Sequence, residues 1–215
     1  AIVGKNDLIF DVGAHIGNRT KSFLALQSSV IAFEPQYDCF LFLKEGLNNI
    51  PNVTCIQKAL GAKKMISKLA IASTPDVSSL APEWINRVKK TRFKHKKWTH
   101  FVDVHVTTLD QMIKNYGLPK FIKIDVEGYE YEVLKGLTQP VPYLSFEFTI
   151  PECTDSVINC IDQLSSLGNY VFNLSFNETM TFYFDDYISS DDIKRVLKTL
   201  DKTCFGDIYA SHITT

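Results

Sequence analysis

The sequence lacks the features of several large classes of protein. No apolar run approaches the roughly 20 residues that a membrane-spanning helix needs. The N-terminus shows no basic segment followed by an apolar one, which is the pattern of a secretory signal. The formal net charge is only -1 over 215 residues, so overall charge favours neither a nucleic-acid nor a membrane partner. These observations predict a cytoplasmic protein without a membrane span. Whether a segment precedes Ala1 stays an open question.

Cysteine is also scarce and scattered. The chain has five cysteines and no C-x-x-C pair, so neither a zinc site nor a disulfide framework is indicated. Most of these thiols are expected to be small buried apolar groups in a reducing compartment. Since no other cluster of metal-ligating residues is visible, the sequence predicts no metal.

Short apolar runs alternate with helical patterns through the first two thirds of the chain, and no internal repeat interrupts them. Such alternation predicts crossover units and a parallel sheet covered by helices on both faces. The predicted strands are "DLIFDV", "VIAFEP", "VTCIQKAL", "FIKIDV" and "LSFEF". A chain of this length is expected to form one domain, residues 1–215.

Two regions depart from that rhythm. Residues 64–109 contain two strand-like stretches with a basic segment between them, which predicts an inserted β extension between the third and fourth core strands. Residues 151–215 are predicted to add a helix, a hairpin turning at Asn177 and a final capped helix. The complete prediction is an α/β fold with a Rossmann-like, doubly wound sheet, mostly parallel, with an antiparallel C-terminal strand.

The first predicted strand leads into a glycine loop, "FDVGAHIG". Its D-x-G-x-x-x-G spacing differs from the G-x-G-x-x-G of dinucleotide sites, and the G-K-[ST] of phosphate loops is absent. Asp11 at the loop would repel a pyrophosphate but suits a ligand with an amino group or a sulfonium. S-adenosylmethionine carries both, which disfavours a nicotinamide oxidoreductase. An ordinary tight turn at Gly13 and Gly17 is the alternative.

The second predicted strand ends in another carboxylate. Glu34 follows Asp11 by 23 residues, about the separation at which an acidic residue meets a ribose diol in dinucleotide folds. Adenosyl ligands present the same diol. Pro35 then stiffens the strand exit.

The stretch "FIKIDVEGYEYEVLKG" brings further carboxylates to the same edge of the sheet. Asp125 is expected to face the crevice that contains Asp11, and Glu127 follows closely. The alternative is an acid-rich helix start, since carboxylates favour helix N-termini. The candidates for a catalytic base are, in order, Asp125 or Glu127, then His15, then Glu147.

Taken together, "FDVGAHIGNRT", "AFEP", "KALG", "TLDQMI", "FIKIDVEGYEYEVLKG" and "LSFEF" resemble the FkbM-type methyltransferases, in the expected order from Leu8 to Phe148. The resemblance implies a class I enzyme that uses S-adenosylmethionine, releases S-adenosylhomocysteine, and methylates hydroxyl oxygens of sugars, glycans or other natural products. His15 departs from the asparagine more common there. The implied cofactor residues are Asp11, Gly13 and Gly17 at the methionine end, Glu34 at the ribose, Lys58 and Ala59 along the adenine, and Asp125 near the sulfonium. Ala14, Asn18 and Pro35 are predicted to bind the cofactor as well.

The segment 87–97 holds seven cations within eleven residues. It is interpreted either as a solvated loop or as a recognition arm for an anionic acceptor. Nucleic acid is a weaker alternative because the overall charge is near zero. A catalytically degenerate methyltransferase fold that serves as a binding module, and an RNA methyltransferase, also stay open.

Overall fold

The computed structural model describes residues 2–48, 50–177, 179, 181–200 and 203–213. These residues form ten strands and seven α-helices. The strands are β1 (Leu8–Val12), β2 (Ser29–Phe33), β3 (Val53–Ile56), β4 (Ala59–Leu60), β5 (Met65–Ala72), β6 (Trp98–Thr107), β7 (Phe121–Ile124), β8 (Tyr143–Ile150), β9 (Tyr170–Phe176) and β10 (Cys204–His212). The helices are α1 (Asn18–Ala25), α2 (Tyr37–Gly46), α3 (Pro82–Val88), α4 (Leu109–Tyr116), α5 (Glu130–Leu134), α6 (Thr154–Leu167) and α7 (Ser190–Thr199). Within these residues no helix is both long and apolar enough to cross a membrane.

Seven strands form one sheet in the order β3-β2-β1-β7-β8-β10-β9. All neighbouring pairs are parallel except the two made by β10, which runs antiparallel to both β8 and β9. The prediction of a mostly parallel, doubly wound sheet with an antiparallel C-terminal strand is therefore confirmed. From β1 the chain adds β2 and β3 on one side of the sheet and then β7 and β8 on the other side. Open α/β sheets bind ligands at such a point, where the direction of strand addition reverses.

Helices cover both faces of this sheet because its central strands are apolar on both sides. On one face Phe10 and Ile122 are fully buried with residues of α4, α5, α6 and α7. On the other, Ile9 and Val30 pack with residues of α1 and α2. Helices therefore cover much of both faces, and the carboxyl ends of the central strands stay open to a cavity.

A second sheet has the order β4-β6-β5; β5 and β6 come from the predicted extension 64–109, whereas β4 precedes it. Strands β5 and β6 pair antiparallel, with a short 3-10 helix (Pro75–Val77) and α3 between them. The predicted single strand "VTCIQKAL" is divided, because β3 stays in the main sheet while β4 pairs with β6. The chain therefore passes from the first sheet to the second directly after β3.

The predicted hairpin at Asn177 is wrong. Residues 181–187 form no strand, and β9 pairs instead with β10, which the sequence analysis did not assign. The aromatic residues that suggested a strand use their rings as packing surfaces: Tyr183 packs edge-on against Phe176, and Phe182 packs against Tyr209. The C-terminal region is therefore helix, strand, helix and strand rather than a helix, a hairpin and a helix. Met180 lies outside the described residues.

Candidate active site

The carboxyl ends of β1, β2 and β7 are tied together by backbone hydrogen bonds. The amide of Gly13 donates to the Phe33 carbonyl at 3.0 Å, and the amide of Asp125 donates to the Val12 carbonyl at 2.9 Å. Beyond these strand ends lies a cavity of about 480 Å³, within the usual range for small-molecule sites. The predicted site residues that line it are Asp11, Gly13, Ala14, His15, Asn18, Glu34, Pro35, Lys58, Ala59, Asp125, Glu127 and Glu147.

The glycine loop acts through close approach rather than through free amides. Gly13 has φ of +86°, and a Cβ there would lie 1.8 Å from the carbonyl oxygen of Asp125. The amides of Gly13 and Ala14 both donate to Phe33, so they are already engaged. Gly17 is not among the residues lining the cavity. It precedes α1, and a Cβ on it would meet Leu43, so its role is to let α1 pack against α2.

Asp11 is the most deeply placed carboxylate of the loop. It is only 2% exposed, and one of its oxygens accepts a hydrogen bond from the Thr20 hydroxyl at 2.5 Å. Burial raises the pKa of Asp11 to about 6, although the Thr20 hydrogen bond acts in the opposite direction. A neighbouring cation would favour the ionised form, as the predicted amino group or sulfonium requires.

Glu34 is buried and oriented by two backbone amides. One carboxylate oxygen accepts from the His15 amide and the other from the Gln36 amide, each at 2.8 Å. Burial raises the pKa of Glu34 to about 7, and these two hydrogen bonds limit the rise. An ionised carboxylate has about four acceptor positions, so Glu34 keeps acceptor capacity for the two hydroxyls of a ribose.

His15 contributes more through its backbone than the sequence indicated. Its amide anchors Glu34, and its φ of 49° is unusual for a residue other than glycine. Its Nε2 atom is buried and finds no hydrogen-bond partner in the described part of the chain. The geometry therefore supports a positioning role for the main chain of His15, while its predicted role as a base stays a prediction.

Three carboxylates meet at the far side of the cavity. Oxygens of Asp125, Glu127 and Glu147 all lie within 4.8 Å of one another. Burial, followed by the charge of Asp125, raises the pKa of both Glu127 and Glu147 well above the ordinary range for glutamate. Such a set of oxygens also has a geometry that a divalent cation accepts. The sequence analysis saw no metal-ligating cluster because Asp125 and Glu127 follow β7 whereas Glu147 lies within β8, and the absence of a metal stays a prediction.

Lys123 is the main functional residue that sequence reasoning missed. Its ammonium group is buried in the middle of β7 and contacts Asp207 at 2.7 Å and Asp125 at 3.2 Å. Burial lowers its pKa, but the two aspartates outweigh burial, so the pKa of Lys123 is raised and the side chain is cationic. The available signal was a lysine inside an otherwise apolar strand, since such a residue is rarely buried without partners.

The turn that carries Glu127 is held in a left-handed conformation. Glu127 has φ of 54° and Gly128 has φ of 85°. The buried carboxylate of Glu130 accepts from the amides of Val126 and Gly128, at 3.1 and 3.2 Å. Burial raises the pKa of Glu130 to about 7. The Glu130 carboxylate thus stabilises the turn through two backbone amides. The sequence analysis had not assigned this role to it.

The basic segment 87–97 is partly a structural element. Arg92 forms a buried ion pair with Glu152 at 3.0 Å and donates to the carbonyls of Ile150 and Cys204. Lys96 pairs with Asp76, which lines the cavity, and Phe93 lines it directly. The segment therefore borders the site, and its remaining exposed lysines are Lys89, Lys90, Lys94 and Lys97.

The buried carboxyl groups of the site lead to a prediction about stability. A carboxyl group whose pKa is higher in the folded than in the unfolded chain binds more protons when folded. Its contribution to stability is complete below the unfolded pKa and is lost as pH rises through the folded pKa. For Asp11, whose pKa rises from 3.8 to about 6, the loss is about 3 kcal/mol. We expect the free energy of unfolding of the ligand-free protein to fall between about pH 4.5 and pH 7.5, as urea titrations at several pH values would show.

Asp11→Asn provides the control for that experiment, because it removes one of the titrating groups and should flatten the dependence. A free energy of unfolding that rises over the same interval would contradict the prediction.

Comparisons with known proteins agree with this geometry. The fold is Rossmann-like, with a pocket at the carboxyl ends of its central strands. The structure superposes on the crystal structure of precorrin-6y C5,15-methyltransferase from Geobacter metallireducens GS-15 with a TM-score of 0.53, 9% sequence identity, and coverage of 98% of this chain and 82% of that one.

The chain belongs to the methyltransferase FkbM domain family, whose model matches residues 11–156. Among curated proteins it is 27% identical over 145 residues to the hexuronic acid methyltransferase AglP of Haloferax volcanii, covering 66% of this chain and 54% of that protein. It is 30% identical over 148 residues to methyltransferase 1 of Beauveria bassiana, covering 61% and 59%. The chain thus spans little more than half the length of these relatives.

The cofactor of this family is S-adenosylmethionine, and the residues present fit it. The cavity has the volume for an adenosyl ligand, a carboxylate with spare acceptor capacity lies at the end of β2, and the buried Asp11 offers a negative charge. The resemblance to the FkbM-type methyltransferases that the sequence analysis identified is confirmed.

Proposed function

We propose that this chain transfers the methyl group of S-adenosylmethionine to a hydroxyl oxygen of a sugar or a related small molecule, with Glu127 as the base. The observation that carries the proposal is the meeting of Asp125, Glu127 and Glu147 within 4.8 Å at the wall of the cofactor cavity. A hydroxyl group is a poor nucleophile until its proton is taken, and a cluster of carboxylates supplies a group to take it.

The three carboxylates have different surroundings, and these differences assign their roles. Asp125 contacts the cationic Lys123 at 3.2 Å, beside the predicted position of the sulfonium. Burial raises the pKa of Glu127 and Glu147, so each carboxylate binds a proton more readily than an ordinary glutamate does, as a base must. Glu127 is preferred of the two because its turn is fixed by Glu130 and can hold it in place.

In the proposed reaction Glu127 accepts the proton of the acceptor hydroxyl while the oxygen attacks the methyl carbon. When bound, the cofactor supplies a methyl group activated by its positive sulfur. The bond from carbon to sulfur breaks, its electron pair remains on sulfur, and the new bond joins carbon to oxygen. Glu34 and Asp11 hold the two ends of the cofactor, so that alignment contributes several kcal/mol.

The acceptor is proposed to be a sugar, and an anionic sugar is the first to test. The relative from Haloferax volcanii is described as a hexuronic acid methyltransferase. In addition, the basic segment 87–97 borders the cavity through Phe93 and Lys96. Both observations support an acceptor whose carboxylate faces this segment, while its reacting hydroxyl faces Glu127.

The test is a calorimetric titration with S-adenosylmethionine, S-adenosylhomocysteine and NAD, followed by methyl transfer to a panel of acceptors. The panel contains glucuronic acid, galacturonic acid, glucose and a short RNA hairpin. We expect both adenosyl ligands to bind, NAD not to bind, and Glu34→Ala to weaken adenosyl binding at least tenfold. We also expect methylation of a uronic acid on oxygen.

Other outcomes separate the alternatives. Methylation of the RNA hairpin alone would replace the sugar by RNA as the acceptor class. Adenosyl binding without transfer to any acceptor would favour a degenerate binding module. Binding of NAD in place of the adenosyl pair would overturn the cofactor assignment in this site.

A further inference from the structure

We infer that Ser79 is a positioning residue that couples the second sheet to the Glu127 turn; the inference rests on the proposed role of Glu127. Ser79 lies between β5 and α3, is 1% exposed, and has all its polar groups engaged. Its hydroxyl donates to the Glu127 carbonyl at 2.6 Å and accepts from the Ala81 amide at 2.9 Å.

The backbone of Ser79 fixes the other side of this link. Its amide and carbonyl exchange two hydrogen bonds with Ala70, each at 3.0 Å, so it continues the edge of β5 as an antiparallel bridge. Ala70 belongs to the ladder between β5 and β6. One residue therefore connects a rigid sheet directly to the main-chain carbonyl of the proposed base.

The Glu127 turn has an unfavourable backbone conformation and needs contacts from outside the turn to stabilise it. Residues other than glycine rarely adopt a positive φ, because the left-handed region costs about 1–2 kcal/mol. Glu127 nevertheless has φ of 54°. The next residue, Gly128, packs so closely on the Trp84 ring that a Cβ would lie 2.3 Å from it. Trp84 lies on α3, which begins three residues after Ser79. The segment from Ser79 to Trp84 thus contacts the turn at two consecutive residues.

Ser79 and Glu130 restrain the same peptide group from its two sides. Glu130 accepts from the amides of Val126 and Gly128, whereas Ser79 donates to the Glu127 carbonyl, which shares a peptide group with the Gly128 amide. Without Ser79 the amide side of this group is still bonded, but its carbonyl loses its hydrogen-bond donor. We expect this loss to leave the cofactor pocket intact but to let the Glu127 carboxylate leave its position beside Asp125 and Glu147.

Ser79→Ala tests this role, with Ser28→Ala as the matched control. Ser28 is also 1% exposed and donates its hydroxyl to a carbonyl, that of Gly4, at 2.8 Å, at the opposite end of the strands. We expect Ser79→Ala to lower kcat about 10- to 100-fold, because a misplacement near 1 Å costs that much. The Kd for S-adenosylhomocysteine should change less than about twofold, and Ser28→Ala should leave both constants unchanged.

Two further measurements separate positioning from a merely structural role. Because Ser79 acts through Glu127, Ser79→Ala should cause no further loss of kcat in a Glu127→Gln background. Hydrogen exchange of the peptide covering residues 124–131 should become faster in Ser79→Ala and not in Ser28→Ala. If Ser79→Ala fails to fold, Ser79→Cys keeps a weak donor of similar size and should give an intermediate loss.

The outcomes are distinct from those that test the proposed function. An equal fractional loss of kcat with and without Glu127, or unchanged exchange at 124–131, would overturn the inference. If Glu127→Gln keeps full activity, the assignment of the base fails, and faster exchange in Ser79→Ala would still support the hold on the turn.

Discussion

Glu127→Gln is expected to lower kcat by about 10²–10⁴-fold while S-adenosylmethionine still binds, because a positioned base contributes that factor. The substitution keeps the size of the side chain and its place in the turn but removes its ability to accept a full proton. Methyl transfer from radiolabelled cofactor to the acceptor, together with calorimetric titration of the cofactor, measures the two effects separately.

Glu132→Gln is the matched control for this experiment. Glu132 lies on α5, which follows the Glu127 turn, and pairs with Lys135 at 2.6 Å; it does not line the cavity that contains Glu127. Its activity should equal that of the unaltered protein. Full turnover of Glu127→Gln would contradict the assignment, and a large loss in Glu147→Gln alone would transfer the role to that residue.

Gly13→Ala should abolish cofactor binding and destabilise the fold. The added Cβ would lie 1.8 Å from the Asp125 carbonyl, and φ of +86° disfavours any side chain at that position. The loops after β1 and β7 must then move apart, although both line the cavity. We expect a loss of about 3 kcal/mol or more in the free energy of unfolding, since backbone strain and steric conflict act together.

Gly4→Ala is the control for that variant. A Cβ at Gly4 would meet nothing within 4 Å, so its unfolding curve should stay close to that of the unaltered protein. Urea unfolding and calorimetric titration with S-adenosylhomocysteine measure both variants. An unchanged Kd in Gly13→Ala would mean that the glycine loop does not touch the cofactor.

The main sheet could be predicted because its strands are short, apolar and bounded by polar turns. The pairing of the C-terminal strand β10 could not be predicted. Strand β10 contains Gly206 and Asp207, which weaken a strand pattern, whereas the aromatic residues 182–184 imitate one. Only long-range pairing decides between the two segments, since β10 is flanked by both β8 and β9.

The same limit applies to the site. Asp11, Glu34 and Asp125 were predictable because parallel strands deliver their carboxyl ends to one edge. The cluster with Glu147 and the pairing of Lys123 with Asp207 depend on the lateral order of strands, which the order along the chain does not reveal. Ser79 was not predictable either, since its hydroxyl contacts a turn 48 residues away.

The central place of β10 has a consequence for biosynthesis. Of the strands that the structure describes, it leaves the ribosome last, yet it separates β8 from β9 in the sheet. It also brings Asp207, one of the two carboxylates that contact the buried Lys123. A nascent chain that ends before residue 207 therefore exposes the edge of β8 and leaves Lys123 short of a counter-ion. The proposed catalytic centre reaches its charge balance only once β10 has been made, after its own residues.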